Sequence, residues 1–336
     1  MLDERWSDEV KEVATALQRI LAVESSPERV RAAEISADGR DRVLEQQLNN
    51  FGLNALEGTP ELFACVAYEL GRFLAPVALV ETFPVLAILG RPRVAMAFDG
   101  LAPALVEFVA VRHDTAVVIQ ALHGTPQRSS AGDLLVQHVV DQGDGERVGD
   151  MVLASRLSRY AALVDAARMV GAGQALLAYG VNYAKERQQF GKIIGTYQGV
   201  AHRLAQAAGH LDAAELLVRK ASFTALPETG GDGAPSDAFA LMVRAKAIDA
   251  ARFVATNVHQ VFGGNGFAME YDVQLYSRRL RSWAMRGQRP GRALADLGRL
   301  VLDPARRDAL RLMWHFDEGM PLPQWAAEAD ARVEQE

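Results

Sequence analysis

The chain has 336 residues and a net charge of −6, and 49% of its residues are hydrophobic while 23% are charged. This is the balance of an ordinary globular protein with room for two or three packed layers or small domains. The negative charge, without basic clusters interleaved with aromatic residues, argues against nucleic acid as a partner. A charged N-terminus without an apolar core predicts no signal peptide, and no apolar run approaches the ~20 residues of a membrane span. The single cysteine, Cys65, excludes a disulfide within the chain, so we expect a cytoplasmic protein.

Residues 1–84 predict a shortened helical domain. The segment "SDEVKEVATALQRILA" begins with Ser7 as a candidate N-cap and then repeats apolar residues at helical spacing. The segment "TPELFACVAYELGRFL" places Thr59 at the cap, Pro60 at the first helical position and Gly71 near the end.

Residues 85–155 predict a small, mostly antiparallel β domain. The runs "VAMAF", "EFVAV", "TAVVIQ" and "LLVQHVV" are short and rich in β-branched residues, and Gly, Asp and Pro separate them. His113, His123 and His138 lie here without metal-ligand spacing, so we interpret them as surface or structural residues.

Residues 156–302 predict a four-helix bundle. Apolar residues stripe three long helical segments and a fourth that "RGQRPG" interrupts, and "PETGGDGAPSD" forms a turn rich in helix breakers. The tail, residues 303–336, has no assignment. The fold class is therefore mainly α with a small β module.

The segment "AKERQQFGKIIGTYQGV" joins the first two bundle helices. Arg187 lies near the end of one helix, where its guanidinium could bind a phosphate or pyrophosphate in a bidentate manner. Phe190 could cover a planar ring, and Gly191 is predicted to end the helix. Gln198 begins the next helix, whose free backbone N–H groups favour an anion. The alternative is a helix C-cap with a solvated arginine.

A second polar segment, "HQVFGGNGFAMEY", follows the third bundle helix. Three glycines within four residues at a helix end favour a tight turn or a close approach to a ligand. An ordinary left-handed cap with an extra turn is the alternative. Two such segments at the ends of adjacent helices indicate a shared site more strongly than either one alone.

Together these segments resemble the acyl-CoA dehydrogenase family. Its Arg-x-x-Phe-Gly segment matches "RQQFG" with the glutamine that follows, and its Gln-x-x-Gly-Gly-x-Gly segment matches "QVFGGNG"; the resemblance runs from Arg159 to Ser282. It implies a dimer made by the bundle and a clamp on the pyrophosphate and adenine half of an FAD whose flavin lies mainly on the neighbouring subunit. By position, that role falls to Arg187, Phe190, Gln198, Gln260, Gly263 and Gly264.

The sequence departs from this family at the catalytic base. The family removes the substrate α-proton with a glutamate at one of two positions, which here hold Gly287 and Ala161. The family arginine beside the second position is replaced by Ala162. Asp165, one turn further, is an alternative base, although a solvated charge on the helix face is the simpler interpretation. We therefore assign no catalytic residue.

The β domain departs from the family as well. The segment Leu-Thr-Glu-Pro-x-Ala-Gly-Ser-Asp and the following Trp-x-Thr/Ser, which line the flavin in the family, are missing, and "AMAFDGLAPALVEF" has few hydroxyls. The plan resembles the truncated subunit of heteromeric α2β2 enzymes of actinobacterial steroid catabolism. This implies a complete partner subunit that carries the base, the flavin pocket and most of the acyl-CoA. A self-sufficient homo-oligomer using Asp165 and a flavin-free scaffold remain alternatives.

Overall fold

The computed structural model describes residues 6–97, 100–113, 115–138, 145–224, 234–286 and 290–305. It confirms the predicted fold class, a helical N-terminal part, a small β module and a C-terminal helical bundle. The predicted domain boundaries after residues 84, 155 and 302 stay predictions. Two helices run across the first two of these boundaries. Of the tail, only residues 303–305 are among those described.

Five helices form the N-terminal part. They are α1 (Asp8–Glu24), α2 (Pro27–Ile35), α3 (Arg42–Asn50), α4 (Pro60–Arg72) and α5 (Leu79–Leu89), with a short 3₁₀ turn at Leu53–Ala55. Thr59 caps α4 as predicted, since its side chain accepts a hydrogen bond from the Leu62 N–H. Ser7 occupies the N-cap position of α1, but its hydroxyl donates instead to Glu61 at 3.2 Å. The first helix is thereby tied to the start of α4.

In the described part of the β module, seven strands form two small sheets. One sheet has the order β1 (Val94–Met96), β3 (Phe108–His113), β4 (Ala116–Ala121) and β7 (Glu146–Asp150), and the other β2 (Leu101–Pro103), β6 (Leu134–Gln137) and β5 (Pro126–Arg128). The pairing is antiparallel except between β1 and β3, where Val94 pairs with Phe108.

The histidine interpretation can be tested at His138. This side chain is buried, its Nε2 lies 3.2 Å from the Gln120 Oε1, and its Nδ1 accepts from the His123 N–H. Burial lowers the pKa of His138. A structural role is therefore confirmed for His138, while the His113 side chain lies outside the described residues. Within the described chain, no group of three His, Cys, Asp or Glu could hold a metal ion.

Among the described residues after 150, four helices make up the bundle, and a further helix follows it. They are α6 (Met151–Glu186), α7 (Gln198–Thr224), α8 (Ala234–Phe262), α9 (Val273–Trp283) and then α10 (Pro290–Leu302), with β8 (Gln188–Gln189) and β9 (Lys192–Ile193) between α6 and α7. The first helix begins at Met151, five positions before the predicted boundary, because the Asp150 carboxylate caps it by accepting from the Val152 and Leu153 N–H groups.

The central helix of the molecule is α6, which packs against α4 on one side and against α7 and α8 on the other. Its crossing with α4 is unusually close. A Cβ at Gly71 would overlap the carbonyl oxygen of Arg168, and one at Gly171 would overlap that of Tyr68. The two backbones therefore touch, with no side-chain layer between them. Among the described helices, only α6 has the length and apolarity of a membrane span, and 78% of that stretch is buried inside the protein, as in a core helix.

Candidate functional site

A β-hairpin follows α6 and carries the first polar segment. Helix α6 ends at Glu186, and the Arg187 N–H still donates to the Tyr183 carbonyl at 2.9 Å. The prediction that Gly191 ends the helix is wrong, because Gly191 lies in the turn between β8 and β9. Phe190 and Gly191 have φ values of +54° and +81°, so both residues of this turn are left-handed. Phe190 is 93% exposed.

A 3₁₀ turn at Gly263–Phe267 follows α8 and carries the second polar segment. Gly263 adopts a φ of +59°, a conformation that glycine reaches without a steric cost. The Asn265 side-chain amide donates to the hydroxyls of Tyr183 and Tyr271 at 2.9 and 3.3 Å. The Tyr183 ring also stacks on Phe262 at 4.0 Å. These contacts fix the glycine turn to the end of α6.

An open groove of about 520 Å³ lies between the hairpin and the glycine turn. Four of the six predicted clamp residues line it, namely Arg187, Phe190, Gly263 and Gly264. The other two are exposed nearby and do not line the groove: Gln198 is the first residue of α7, and Gln260 lies near the end of α8. The structure thus brings the two polar segments to one place.

The groove presents positive charge without a competing acid. Arg187 is exposed, and no described carboxylate forms an ion pair with it. The Lys192 ammonium lies 4.3 Å above the Tyr197 ring at the edge of the hairpin. At Gly263 and Gly264 a Cβ would meet nothing within 4 Å, so the backbone is open to a ligand. Such a surface suits a phosphate or pyrophosphate group.

His259, near the end of α8, connects the helix that precedes the glycine turn to α9. The His259 Nε2 lies 2.8 Å from the Ser277 Oγ, which connects α8 to α9. Burial, with a smaller effect of the nearby Arg281, lowers the pKa of His259. His259 does not line the groove, and Arg187 is the only cation among the described residues that do.

Of the two positions that hold the base in the resembled family, the structure describes one. Ala161 is buried in α6, and Gly287 lies outside the described residues. The expectation of a solvated Asp165 is wrong. Its side chain is 3% exposed, and it forms ion pairs with Arg168 and Arg244. Asp165 lies among buried residues of α6, so the carboxylate is stabilised by guanidinium groups instead of water.

A network of buried ion pairs extends from Asp165 to the β module. The Arg168 Nη1 lies 2.6 Å from the Glu81 Oε1, and the Arg286 Nη1 lies 3.4 Å from the same oxygen. Arg286 also pairs with Asp133, and the Arg168 guanidinium lies 4.4 Å above the Trp283 ring. We call this set of charged residues the ionic plug; it consists of Asp133, Asp165 and Glu81 with Arg168, Arg244 and Arg286.

Four residues of the ionic plug, Glu81, Asp133, Arg168 and Arg286, line the cleft between α4, α5, α6, α9 and the β2–β6 sheet. The volume that remains open there is about 60 Å³. Apart from Asp165, the sequence reasoning missed these residues. A signal was present, because Glu81 and Arg168 are single charges inside apolar helical runs, "LVETFPVL" and "AARMVGAG".

The sequence profile described as "Acyl-CoA dehydrogenase, C-terminal domain" matches residues 152–287. The acyl-CoA dehydrogenase IpdE2 of Mycolicibacterium smegmatis is 30% identical over 302 residues, which cover 81% of this chain and 92% of IpdE2. The chain belongs to the acyl-CoA dehydrogenase family. The resemblance inferred from the two polar segments is thereby confirmed.

Other acyl-CoA dehydrogenases match in part or in fold. FadE34 of Mycobacterium tuberculosis is 37% identical over 135 residues, which are 40% of this chain but only 17% of FadE34. The ChsE4–ChsE5 complex of M. tuberculosis contains a chain with a TM-score of 0.79 at 19% identity, covering 90% of this chain and all of its own. The Tcur3481–Tcur3483 steroid acyl-CoA dehydrogenase gives the same TM-score and identity over 91% of this chain and all of its own. At these identities the likeness is one of fold.

Proposed function

We propose that this chain is the clamp subunit of a heteromeric, FAD-dependent acyl-CoA dehydrogenase. It binds the pyrophosphate and adenine end of FAD in the groove of Arg187, Phe190, Gly263 and Gly264. A homologous complete subunit carries the glutamate base, the flavin pocket and most of the acyl-CoA. The observation that carries the proposal is the contrast between an open, cationic groove at one end of α6 and a closed cleft in the middle.

The residues of the groove fit an FAD. Arg187 offers a charge that no described carboxylate neutralises, and the open backbone at Gly263 and Gly264 admits a close approach by a phosphate oxygen. Phe190 offers an aromatic face that is almost wholly exposed. When bound, FAD supplies the hydride acceptor for α,β-desaturation of an acyl-CoA, and the residues of this chain hold and orient its non-reacting half.

The closed cleft supports a division of labour between two chains. The ionic plug borders the cleft between α5, α6 and the β2–β6 sheet, where the open volume of about 60 Å³ is far below the ~300–1,000 Å³ of ligand sites. A separate cavity of about 390 Å³ lies between β3, β4, α6 and α8. Backbone contact at Gly71 and Gly171 leaves no gap between α4 and α6. The cleft at the ionic plug is therefore too small for an acyl chain, and we propose that the substrate binds on the partner subunit.

The named relatives favour a heteromeric assembly. Both similar structures carry two protein names, ChsE4–ChsE5 and Tcur3481–Tcur3483, and the second is called a steroid enzyme. We propose the α2β2 arrangement and a steroid-derived acyl-CoA on this basis. A cytoplasmic location, expected from the sequence, belongs to the same proposal.

The self-sufficient alternative finds no support at Asp165. A general base needs a free lone pair within reach of the substrate. Both oxygens of Asp165 face guanidinium groups in a buried setting. The flavin-free scaffold is tested directly by cofactor content.

The experiment is co-expression with a complete homologous acyl-CoA dehydrogenase subunit, followed by purification of the complex. We expect a yellow complex with one FAD for each pair of unlike chains, and a flavin-free or poorly soluble product when this chain is expressed alone. One tightly bound FAD per chain in a homo-oligomer would refute the clamp role. A complex without FAD would favour the scaffold.

Two matched arginine variants refine this test. Arg187→Ala should weaken FAD binding about tenfold to a hundredfold, because a charge-assisted phosphate contact contributes about 1.5–3 kcal/mol. Turnover should return when FAD is in excess. Arg42→Ala removes an equally exposed guanidinium far from the groove, where it pairs with Asp38, and should leave FAD binding unchanged.

A further inference from the structure

We propose that the Tyr197 hydroxyl is a positioning group for FAD, because it holds the Phe190–Gly191 turn in the conformation that completes the groove. The inference rests on the proposed clamp function. Tyr197 lies beside the predicted clamp residues and itself lines the groove. It has no part in the motif that identified the site.

The turn at the tip of the hairpin is conformationally costly. The flanking residues pair in register, Gln188 with Ile193 and Gln189 with Lys192, so the connection has two residues. Both have positive φ, which is the arrangement of a type I′ turn and favours Gly, Asn or Asp. Phenylalanine at the first position is unfavourable, because its Cβ crowds the backbone in a left-handed conformation.

Side-chain packing does not hold the turn in place. Phe190 is 93% exposed, and nothing lies within 4 Å of the Cβ position of Gly191. Strain at an exposed residue persists only where other contacts determine the conformation. Those contacts must come from the neighbouring backbone or from the start of α7.

Tyr197 provides the connection. Its hydroxyl donates to the carbonyl oxygens of Gln189 and Phe190, which lie 3.1 and 3.3 Å away. Its own carbonyl accepts from the Val200 and Ala201 N–H groups at 3.0 and 2.9 Å. The residue thus links the first turn of α7 to the strained turn. Loss of the hydroxyl would release the peptide groups on both sides of Phe190.

The ring and the hydroxyl of Tyr197 have separable roles. The Lys192 ammonium lies over the ring, and phenylalanine would preserve that contact. The two carbonyl oxygens are at the surface, so water can replace the hydroxyl with little effect on folding. FAD, by contrast, requires the turn to be ordered, and a turn that is only partly populated lowers the apparent affinity in proportion. Tyr197→Phe should therefore affect the cofactor and not the fold.

The test uses the co-expressed complex with Tyr197→Phe, and Tyr276→Phe as the matched control. The Tyr276 hydroxyl also donates to one carbonyl, that of Arg72 at 3.3 Å, but it lies on α9 away from the hairpin. FAD is removed and added back in an equilibrium titration that follows flavin fluorescence. We expect the Kd for FAD to rise about threefold to tenfold in Tyr197→Phe. The control should match the wild type, and the thermal midpoints of the apo complexes should agree.

Arg187→Ala separates the two ways in which this could fail. If Arg187→Ala weakens FAD binding while Tyr197→Phe leaves it unchanged, the positioning role is refuted and the clamp function stands. A Tyr197→Phe complex that melts well below the control would make the hydroxyl a folding contact, which also overturns the proposal. If neither variant changes FAD binding, the clamp function is wrong and the positioning role falls with it.

Discussion

Glu81→Gln tests the ionic plug, because Glu81 joins its two halves. One carboxylate oxygen of Glu81 pairs with both Arg168 and Arg286, and the side chain is 6% exposed. The substitution keeps the size of the side chain and removes its charge. Two guanidinium groups then face a neutral amide in a site with almost no water.

The expected cost follows from the partners that remain. Removing one member of a buried pair typically costs ~3–5 kcal/mol, because the other charge is left uncompensated. Arg168 still has Asp165 and Arg286 still has Asp133, so we expect the lower end, about 3 kcal/mol. At about 2.1 cal/mol/K of unfolding entropy per residue, a chain of 336 residues would lose about 4 °C in its thermal midpoint.

The assay is thermal unfolding of the complex, followed by circular dichroism. Asp8→Asn is the control, since its pair with Lys11 lies at the surface and should contribute almost nothing. The double variant Glu81→Gln/Arg286→Gln should lose less than the sum of the single losses, because the two side chains interact. If Glu81→Gln is as stable as the wild type, the network is not the buried charged cluster described above.

Three further outcomes are expected. Gly171→Ala should destabilise the chain by about 1–3 kcal/mol in urea unfolding, whereas Gly209→Ala, which meets nothing within 4 Å in α7, should be neutral or stabilising. The free energy of unfolding should fall as the pH drops below 6.5. The reason is that the pKa values of His138 and His259 are lowered in the folded state, so the unfolded chain binds protons at a higher pH. His259→Gln should therefore make the thermal midpoint less dependent on pH. Asp165→Asn should lower the stability of the chain, but the single-turnover rate of flavin reduction per assembled complex should change by less than about threefold. A hundredfold fall in that rate would show that Asp165 is the base.

The long elements and the two polar segments were predictable because their signals are local. Apolar periodicity gave the bundle helices, and the glycine-rich and Arg-x-x-Phe-Gly segments gave four residues that line one groove. Gly191 was placed wrongly, because a glycine can end a helix or form a hairpin turn, and two-residue strands leave no periodic pattern. Only the pairing across the turn distinguishes these outcomes.

The interior of the subunit could not be read in the same way. Asp165 and Arg168 are three residues apart, and their spacing alone is that of an ordinary surface pair on a helix. Their burial depends on Glu81 from α5 and Arg244 from α8, which approach only in the folded chain. Interactions between residues so distant in sequence carry no local signal.

Because α6 is one continuous helix, it limits where insertions and deletions can occur among homologues of this chain. Its 36 residues span about 54 Å, and each added residue would turn everything beyond it by about 100°. Asp150 at one end belongs to the β module, and Arg187 at the other begins the clamp hairpin. A single inserted or deleted codon after Gly171 would swing the hairpin away from the glycine turn, and one before Gly171 would offset this glycine from Tyr68. Changes in length are therefore expected in the loops outside this helix.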